Sequence, residues 1–475
     1  LSNIESSIAA ALQQLGFAER TLSIGDCIRV AEEAGVCFSD VVFYEAMQQA
    51  GATKEEISQA VLDSFSHNFE AIDAGLDGGE SFLFGKVSSE MLEKGQPAVI
   101  DDVLVNNMVT YTLAAQVGNH SVGLQPCAGT GDSCPYSGFM KAVLERFTRD
   151  EAAKAAAVLL KVGTVFRAGK VTTGCNMEGY GAGSAATAAA FTILYNGKPG
   201  DVGRAIVVAL SPTIGNPCTP RVMVPGLCAT HIGGAILNAK LSSYLAVHTT
   251  LPLNVPVDVM IAMAASVHKI SAKEIVPEVI RYMEPFFRTN NKVETYIDEA
   301  TKKVEETRKI EIQEVAQEQA RALAAQANPI VRPFGTAVVG GSSQAVGSPT
   351  NTGRLAHFLA KGNITKVVID LYPELFARRG INIPGILMGS VFGASTADGL
   401  MYKTVMDKVK EKGIEVEINQ VEEHQLQRVT VYATGQNSMV DARNRGGGRL
   451  ALVCAEPDEA QCRKIATDLE IEIVD

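Results

Sequence analysis

The hydrophobic period of this chain changes once, near Phe334, and that change predicts a two-part fold. Beyond it, the segments GTAVVGG, TKVVIDLYP, EVEINQVE, RVTVYATG and RLALVCAE each read as strands. Helical stretches near 352–361, 397–412 and 459–469 separate them, so residues 331–475 are expected to form an α+β domain. Before it, apolar residues recur at helical spacing: Ile24, Cys27, Ile28 and Ala31, then Val41, Val42, Tyr44 and Met47. The runs at 182–195, 202–210, 232–246 and 252–269 are rich in small apolar residues and continue the pattern. Residues 1–290 therefore read as one mostly α-helical domain. Thr53 followed by Glu56 is a capping box and marks one helix start. Between the two parts, 291–330 forms a long amphipathic helix with apolar residues at 293, 296, 297, 300 and 304. It is a connector or a dimerisation arm, and a homodimer is expected.

Composition narrows the function classes. A net charge of −11 argues against nucleic acid as a partner. Aromatics are only 6% and Trp is absent, while Gly reaches 43, which describes close-packed small-residue helices. The longest greasy run, 182–195, is too short to cross a bilayer, so no membrane partner is expected. The first residues lack the basic start and unbroken apolar core of a signal peptide. Nine cysteines without a compact framework fit a reducing, cytoplasmic setting.

Three of those cysteines stand beside turn formers. Gly174 precedes Cys175, Pro217 precedes Cys218, and Pro225 and Gly226 precede Cys228. Thiols on turns can converge on a common object, whereas a structural cysteine usually lies within an apolar helix or strand. The wide spacing is not that of a zinc finger, which uses close C-x-x-C pairs. The remaining readings are an iron–sulfur cluster with one iron left open, or structural thiols. Cys27 and Cys37 lie on apolar helical surfaces and read as core residues. The run Gly179-Tyr180-Gly181-Ala182-Gly183-Ser184 lacks the full dinucleotide pattern; its small residues suit close helix packing.

This cysteine region resembles the alpha portion of the iron–sulfur L-serine dehydratases, also called L-serine ammonia-lyases. Gly174-Cys175-Asn176-Met177-Glu178 matches the family's G-C-x-x-E segment, and Cys218-Thr219-Pro220 its C-x-P segment. Val224-Pro225-Gly226-Leu227-Cys228 approximates the third. The resemblance implies that Cys175, Cys218 and Cys228 hold a 4Fe–4S cluster in the N-terminal domain. Residues 23–57 resemble the opening of the same portion. The loop 78–86 keeps Ser81 and Gly85 of a family loop facing the active site, with Phe82 and Lys86 where glycines would stand. Lys86 is either a solvated lysine or a group binding a substrate carboxylate. Residues 126–135 occupy the place of the family's A-P-T-x-G-x-x-G loop, and Ala128, Thr130 and Cys134 fall on matching positions, with Gly129 in place of the proline. A Gly/Thr/Ser-rich loop feeding a helix suits an anion, so Thr130 and Ser133 are candidate carboxylate binders, or no more than a helix cap. Cys134 is a reserve cluster ligand.

The C-terminal domain resembles the family's beta portion, here placed after the alpha portion in one chain. Ser342-Ser343-Gln344 stands where the family has S-S-H, with Gln344 replacing the histidine, and the stretch around Asn437 is similar to the family's H-P-N-x-M, again without the histidine. The resemblance implies catalytic roles at Ser342, Ser343 and Gln344 and substrate binding at Ser81 and Asn437.

The implied reaction expels hydroxide from L-serine, a small amino-acid-like substrate, and removes a Cα proton. A cluster held by three thiolates offers an iron as Lewis acid for the first demand. A base within about 3 Å must meet the second, and glutamine cannot accept that proton. Glu178 is the first substitute, followed by His120, His231 and His357. The alternatives are a related dehydratase or desulfhydrase on another hydroxy or thiol acid, a non-catalytic iron–sulfur sensor with an effector-binding C-terminal domain, and a cluster-free helical protein. No lysine and phosphate-loop pairing supports a pyridoxal-phosphate enzyme.

Overall fold

The computed structural model describes residues 3–81, 85–121, 134–169, 179–216, 225–286, 291–326 and 344–474. The chain divides into two compact units, Leu1–Glu314 and Val315–Asp475. It is mostly helical, with a mixed five-stranded sheet near its C-terminus. No helix among the described residues is long and apolar enough to cross a membrane.

The described residues of the N-terminal unit form a mainly helical assembly built around Gly181–Leu194, whose residues are buried from Gly181 through Thr192. A helix that is apolar on every face has no solvent side to offer and becomes the centre of a core. Arg149–Gly169, Pro199–Leu210 and Pro225–His248 pack around it. Local signals set the helix ends as expected. The Thr53 hydroxyl accepts from the Glu56 N–H, and the Glu56 carboxylate accepts from the Thr53 N–H at 2.8 Å. A tertiary cap joins it: Asp258 accepts from the Ser23 hydroxyl and the Gly25 N–H, tying two helices together at the start of Ile24–Ala34. Cys27 is fully buried, in line with a core role, but Cys37 is exposed at the N-cap of Phe38–Ala50. Its neighbour Phe38 takes the core position instead, because helical phase turns the cap residue outward.

One crossing positions the candidate site. Ser66–Leu76 and Val103–Ser121 approach backbone to backbone. A Cβ on Gly118 would stand 1.7 Å from the Ala71 carbonyl oxygen, and one on Gly75 only 2.1 Å from that of Ala114. Only glycine at both positions permits that approach.

The long helix expected within 291–330 runs Glu299–Gln326, after a short turn at Asn291–Glu294. Its apolar residues Val304, Ile310, Val315 and Leu323 are exposed.

The sheet of the C-terminal unit has the order β2-β1-β3-β4-β5. The strands are β1 (Ile364–Leu371), β2 (Glu415–Gln420), β3 (Leu426–Ala433), β4 (Ser438–Asn444) and β5 (Leu450–Glu456). β1 and β2 are parallel; the remaining pairs are antiparallel. Helices Gly399–Glu411 and Glu459–Asp468 fall close to the expected positions, whereas Gln344–Leu359 begins eight residues before the stretch expected at 352–361. The expected strand at 335–341 lies outside the described residues. Two elements depart from the sequence reading. β4 carries Asp441, Arg443 and Asn444 and so lacks an apolar alternation. Asp441 is nevertheless buried, and its carboxylate accepts from Arg428 Nε at 3.0 Å and Nη2 at 2.6 Å on β3. The helix Arg379–Phe392 contains Gly380, Pro384, Gly385 and Gly389, which read locally as breakers. Packing overrides them: a Cβ on Gly389 would stand 2.4 Å from the Thr350 carbonyl oxygen, so the small residues admit close contact with Gln344–Leu359.

Candidate functional site

Four side chains, three from two helices and one from the bridge that follows Ser66–Leu76, form a hydrogen-bonded line in the N-terminal unit. Ser81 and Gly85 form an isolated antiparallel bridge, the N–H and carbonyl of Ser81 both bonded to Gly85 at 2.8 Å. The Ser121 hydroxyl donates to the Glu80 carbonyl and ties this bridge to the end of Val103–Ser121. On that helix end, His120 Nδ1 lies 2.6 Å from the buried Ser81 Oγ. Gln116, one turn back, places its Nε2 at 2.7 Å from His120 Nε2. Cys134, the first residue of Cys134–Arg146 and itself buried, donates its S–H to Gln116 Oε1 at 3.2 Å. Asn119 donates to the same sulfur at 3.7 Å.

The donors along this line assign its protons. Because Gln116 Oε1 accepts from Cys134, its amide nitrogen must face His120 as a donor. His120 Nε2 is then the unprotonated acceptor, and Nδ1–H donates to Ser81 Oγ. The arrangement holds a neutral imidazole with its basic nitrogen at Nε2, oriented from both sides.

A second contact lies at the N-terminal ends of two core helices. The rings of Tyr180 and His231 stack at 5.1 Å between centroids with planes 9° apart. Gly179 meets Ile232 alongside, where a Cβ would stand 3.1 Å from Ile232 Cγ2. Burial draws the His231 pKa below its usual value, and its buried Nδ1 has no partner among the described residues. Cys175 lies five residues before Tyr180 in sequence, and Cys228 occupies the first turn of the helix bearing His231.

Cys175, Glu178, Cys218, Thr130, Ser133, Ser342 and Ser343 lie outside the described residues. Gln344 begins the helix Gln344–Leu359. Lys86 is exposed, and its carbonyl accepts from the Ser89 hydroxyl at 3.0 Å. Asn437 is exposed in the β3–β4 turn, where its Oδ1 accepts from the Ala433 N–H. His357 Nδ1 lies 2.9 Å from the Ser390 carbonyl oxygen, to which it donates, and its ring packs edge-on against Phe358, a structural setting. Among the described residues, no group of three His, Cys, Asp or Glu side chains is arranged to hold a metal.

The structure thus brings together Ser81, His120 and Cys134, three residues the sequence singled out for separate reasons. It adds Gln116 and Asn119, which sequence reasoning missed. Gln116 precedes His120 by one helical turn, a spacing that puts both on one face and was the available signal. No protein-family model matches the chain, and no curated protein matches it.

Proposed function

We propose that the chain is an iron–sulfur-dependent lyase of the L-serine dehydratase type. It removes water from L-serine, or from a closely related β-substituted small acid, and from serine yields pyruvate and ammonia. Cys175, Cys218 and Cys228 are the proposed ligands of a 4Fe–4S cluster, and the C-terminal unit is the proposed counterpart of the family's beta portion.

The Tyr180–His231 stack carries this reading. It brings the start of Gly181–Leu194, six residues after Cys175 in sequence, against the first turns of Pro225–His248, the helix that carries Cys228. That helix contact is what two ligands far apart in sequence require, and the buried His231 Nδ1 within it has no partner among the described residues. Such a cluster supplies, when bound, a Lewis acid for the leaving hydroxyl.

The remaining chemistry belongs to the chain. His120 is neutral, its Nε2 carries a lone pair, and its ring is fixed at Nδ1 by Ser81. To take the Cα proton it exchanges the Gln116 contact for the substrate, a rearrangement within one helical turn. His120 therefore takes the role for which Gln344 is chemically unfit. Cys134 and Gln116 hold the resting tautomer.

The test is iron and acid-labile sulfide on anaerobically purified protein, with the visible spectrum followed as L-serine is added. About four irons and a serine-dependent spectral change support the proposal. Four irons with no response to serine move the substrate to another small acid. Absence of iron after reconstitution removes the proposed role of the three cysteines.

A further inference from the structure

The amide of Gln116 is held at both ends, and the two ends face different surroundings. Its Oε1 accepts the Cys134 S–H at 3.2 Å, and Asn119 donates to that same sulfur at 3.7 Å. Cys134 and Asn119 are both buried. Its Nε2 lies 2.7 Å from His120 Nε2; His120 is exposed and Gln116 half-buried. A buried anchor therefore fixes the amide oxygen inward and turns the amide nitrogen, a donor with two N–H groups, toward the open side. The amide cannot present its oxygen there without giving up the Cys134 bond. Ser81 fixes the imidazole in the same way, through Nδ1 at 2.6 Å. A hydrogen-bond donor and a basic nitrogen thus stand side by side, each oriented from behind.

Their separation matches a chemical unit. An α-carbon and an oxygen of its own carboxylate lie about 2.4 Å apart, the distance across two covalent bonds. A carbon acid that offers its Cα–H to His120 Nε2 accordingly brings a carboxylate oxygen beside Gln116 Nε2, and the amide that leaves His120 meets that oxygen instead. The contact gains strength as reaction proceeds. The Cα–H bond breaks, its proton passes to His120 Nε2, and its electron pair moves into the carboxylate, whose two oxygens carry the added charge. The pair then forms the Cα–Cβ double bond as hydroxide leaves from Cβ. A donor fixed in place before the charge develops stabilises it without reorganising.

We propose that Gln116 is a further catalytic residue, whose Nε2–H donates to a carboxylate oxygen of the substrate and stabilises the charge that Cα deprotonation places there. The reaction rests on the lyase reading above, while the carboxylate contact itself requires neither a cluster nor a leaving group.

NMR of the full chain, purified anaerobically and carrying nitrogen-labelled histidine, tests the contact. His120→Asn identifies the His120 signals by their loss. L-alanine, which has the carboxylate but no β-leaving group, is the probe. L-alaninol, in which a hydroxymethyl group replaces the carboxylate, is its control. L-alanine is expected to shift the His120 Nε2 signal, and L-alaninol to leave it unmoved. Gln116→Met should raise the L-alanine concentration required by about tenfold or more. Where that variant does not fold, Gln116→Glu, whose carboxylate repels that of the ligand, gives the same reading. In pyruvate formation from L-serine, Gln116→Met should lower kcat about 10²-fold and change KM less. An unmoved His120 signal with L-alanine, an equal shift with L-alaninol, or an unchanged response in the Gln116 variant overturns the proposal. So does wild-type kcat in that variant. A wild-type chain that forms no pyruvate removes the lyase reading alone, and the NMR comparison then decides the Gln116 contact by itself.

Discussion

The rings of Tyr180 and His231 lie 5.1 Å apart and within 9° of parallel, joining the residue that precedes Gly181–Leu194 to the second turn of Pro225–His248, the helix whose first turn carries Cys228; Cys175 stands five residues before Tyr180 in sequence. The stack needs a flat ring at position 231 but not the Nδ1 that has no partner among the described residues. His231→Phe is therefore expected to retain iron at the wild-type ratio, whereas His231→Ala loses at least half of it. Iron and sulfide per chain after anaerobic purification measure the difference. Equal iron in both variants would show that the stack does not organise the cysteine segments.

His120→Ala should lower the rate of pyruvate formation by about 10²–10⁴, the usual contribution of a positioned general base. Iron content and melting temperature should hold, because His120 is exposed at a helix end. Ser81→Ala, which frees the ring at Nδ1, should cost less. Full activity in His120→Ala would return the role to Glu178.

Cysteine reactivity should follow burial. Burial pushes the Cys27 thiol up to about 12 and the Cys462 thiol up to about 11, leaving almost no thiolate near neutrality. Cys37 is exposed on a helix cap. Alkylation at pH 8, read by peptide mass spectrometry, should modify Cys37 in the folded chain and reach Cys27 and Cys462 only in denaturant. Labelling of Cys27 at the rate of Cys37 would contradict the packing of the Ile24–Ala34 helix.

Acid should weaken the N-terminal unit through Asp26. Its burial opposes ionisation, but bonds from the Ser23 N–H and from Arg29, with the charge of Arg20, hold its pKa below the usual carboxylate value. A depressed folded pKa means stabilisation that is present above the unfolded value of about 3.9 and fades as pH falls through the folded one. Asp26→Asn should cost roughly 1.5–3 kcal/mol at pH 7. It should also flatten the decline of stability below about pH 4. Denaturant melts at pH 7 and in steps from pH 5 to 3 measure both; parallel curves for the two proteins would remove Asp26 from the acid response.

Much of the fold was legible in the sequence, and the reason is locality. A capping box such as Thr53–Glu56, the apolar alternation of β1 and the all-round small-residue pattern of Gly181–Leu194 each arise among neighbouring residues. β4 and the helix Arg379–Phe392 escaped notice because their stabilising partners are distant. Asp441 is tolerated in a buried strand only through Arg428, and the glycines of that helix make sense only against Thr350.

By itself the sequence determined the two-part layout, the helix starts and the set of residue types suited to chemistry, since periodicity and caps are properties of contiguous chain. The tertiary structure alone decided which polar groups meet. Ser81 reaches His120 across 39 residues because Gly75 and Gly118 let two helices touch, and Cys134 joins the same line from a third helix. Those outcomes depend on helix crossings and burial, which no local pattern encodes.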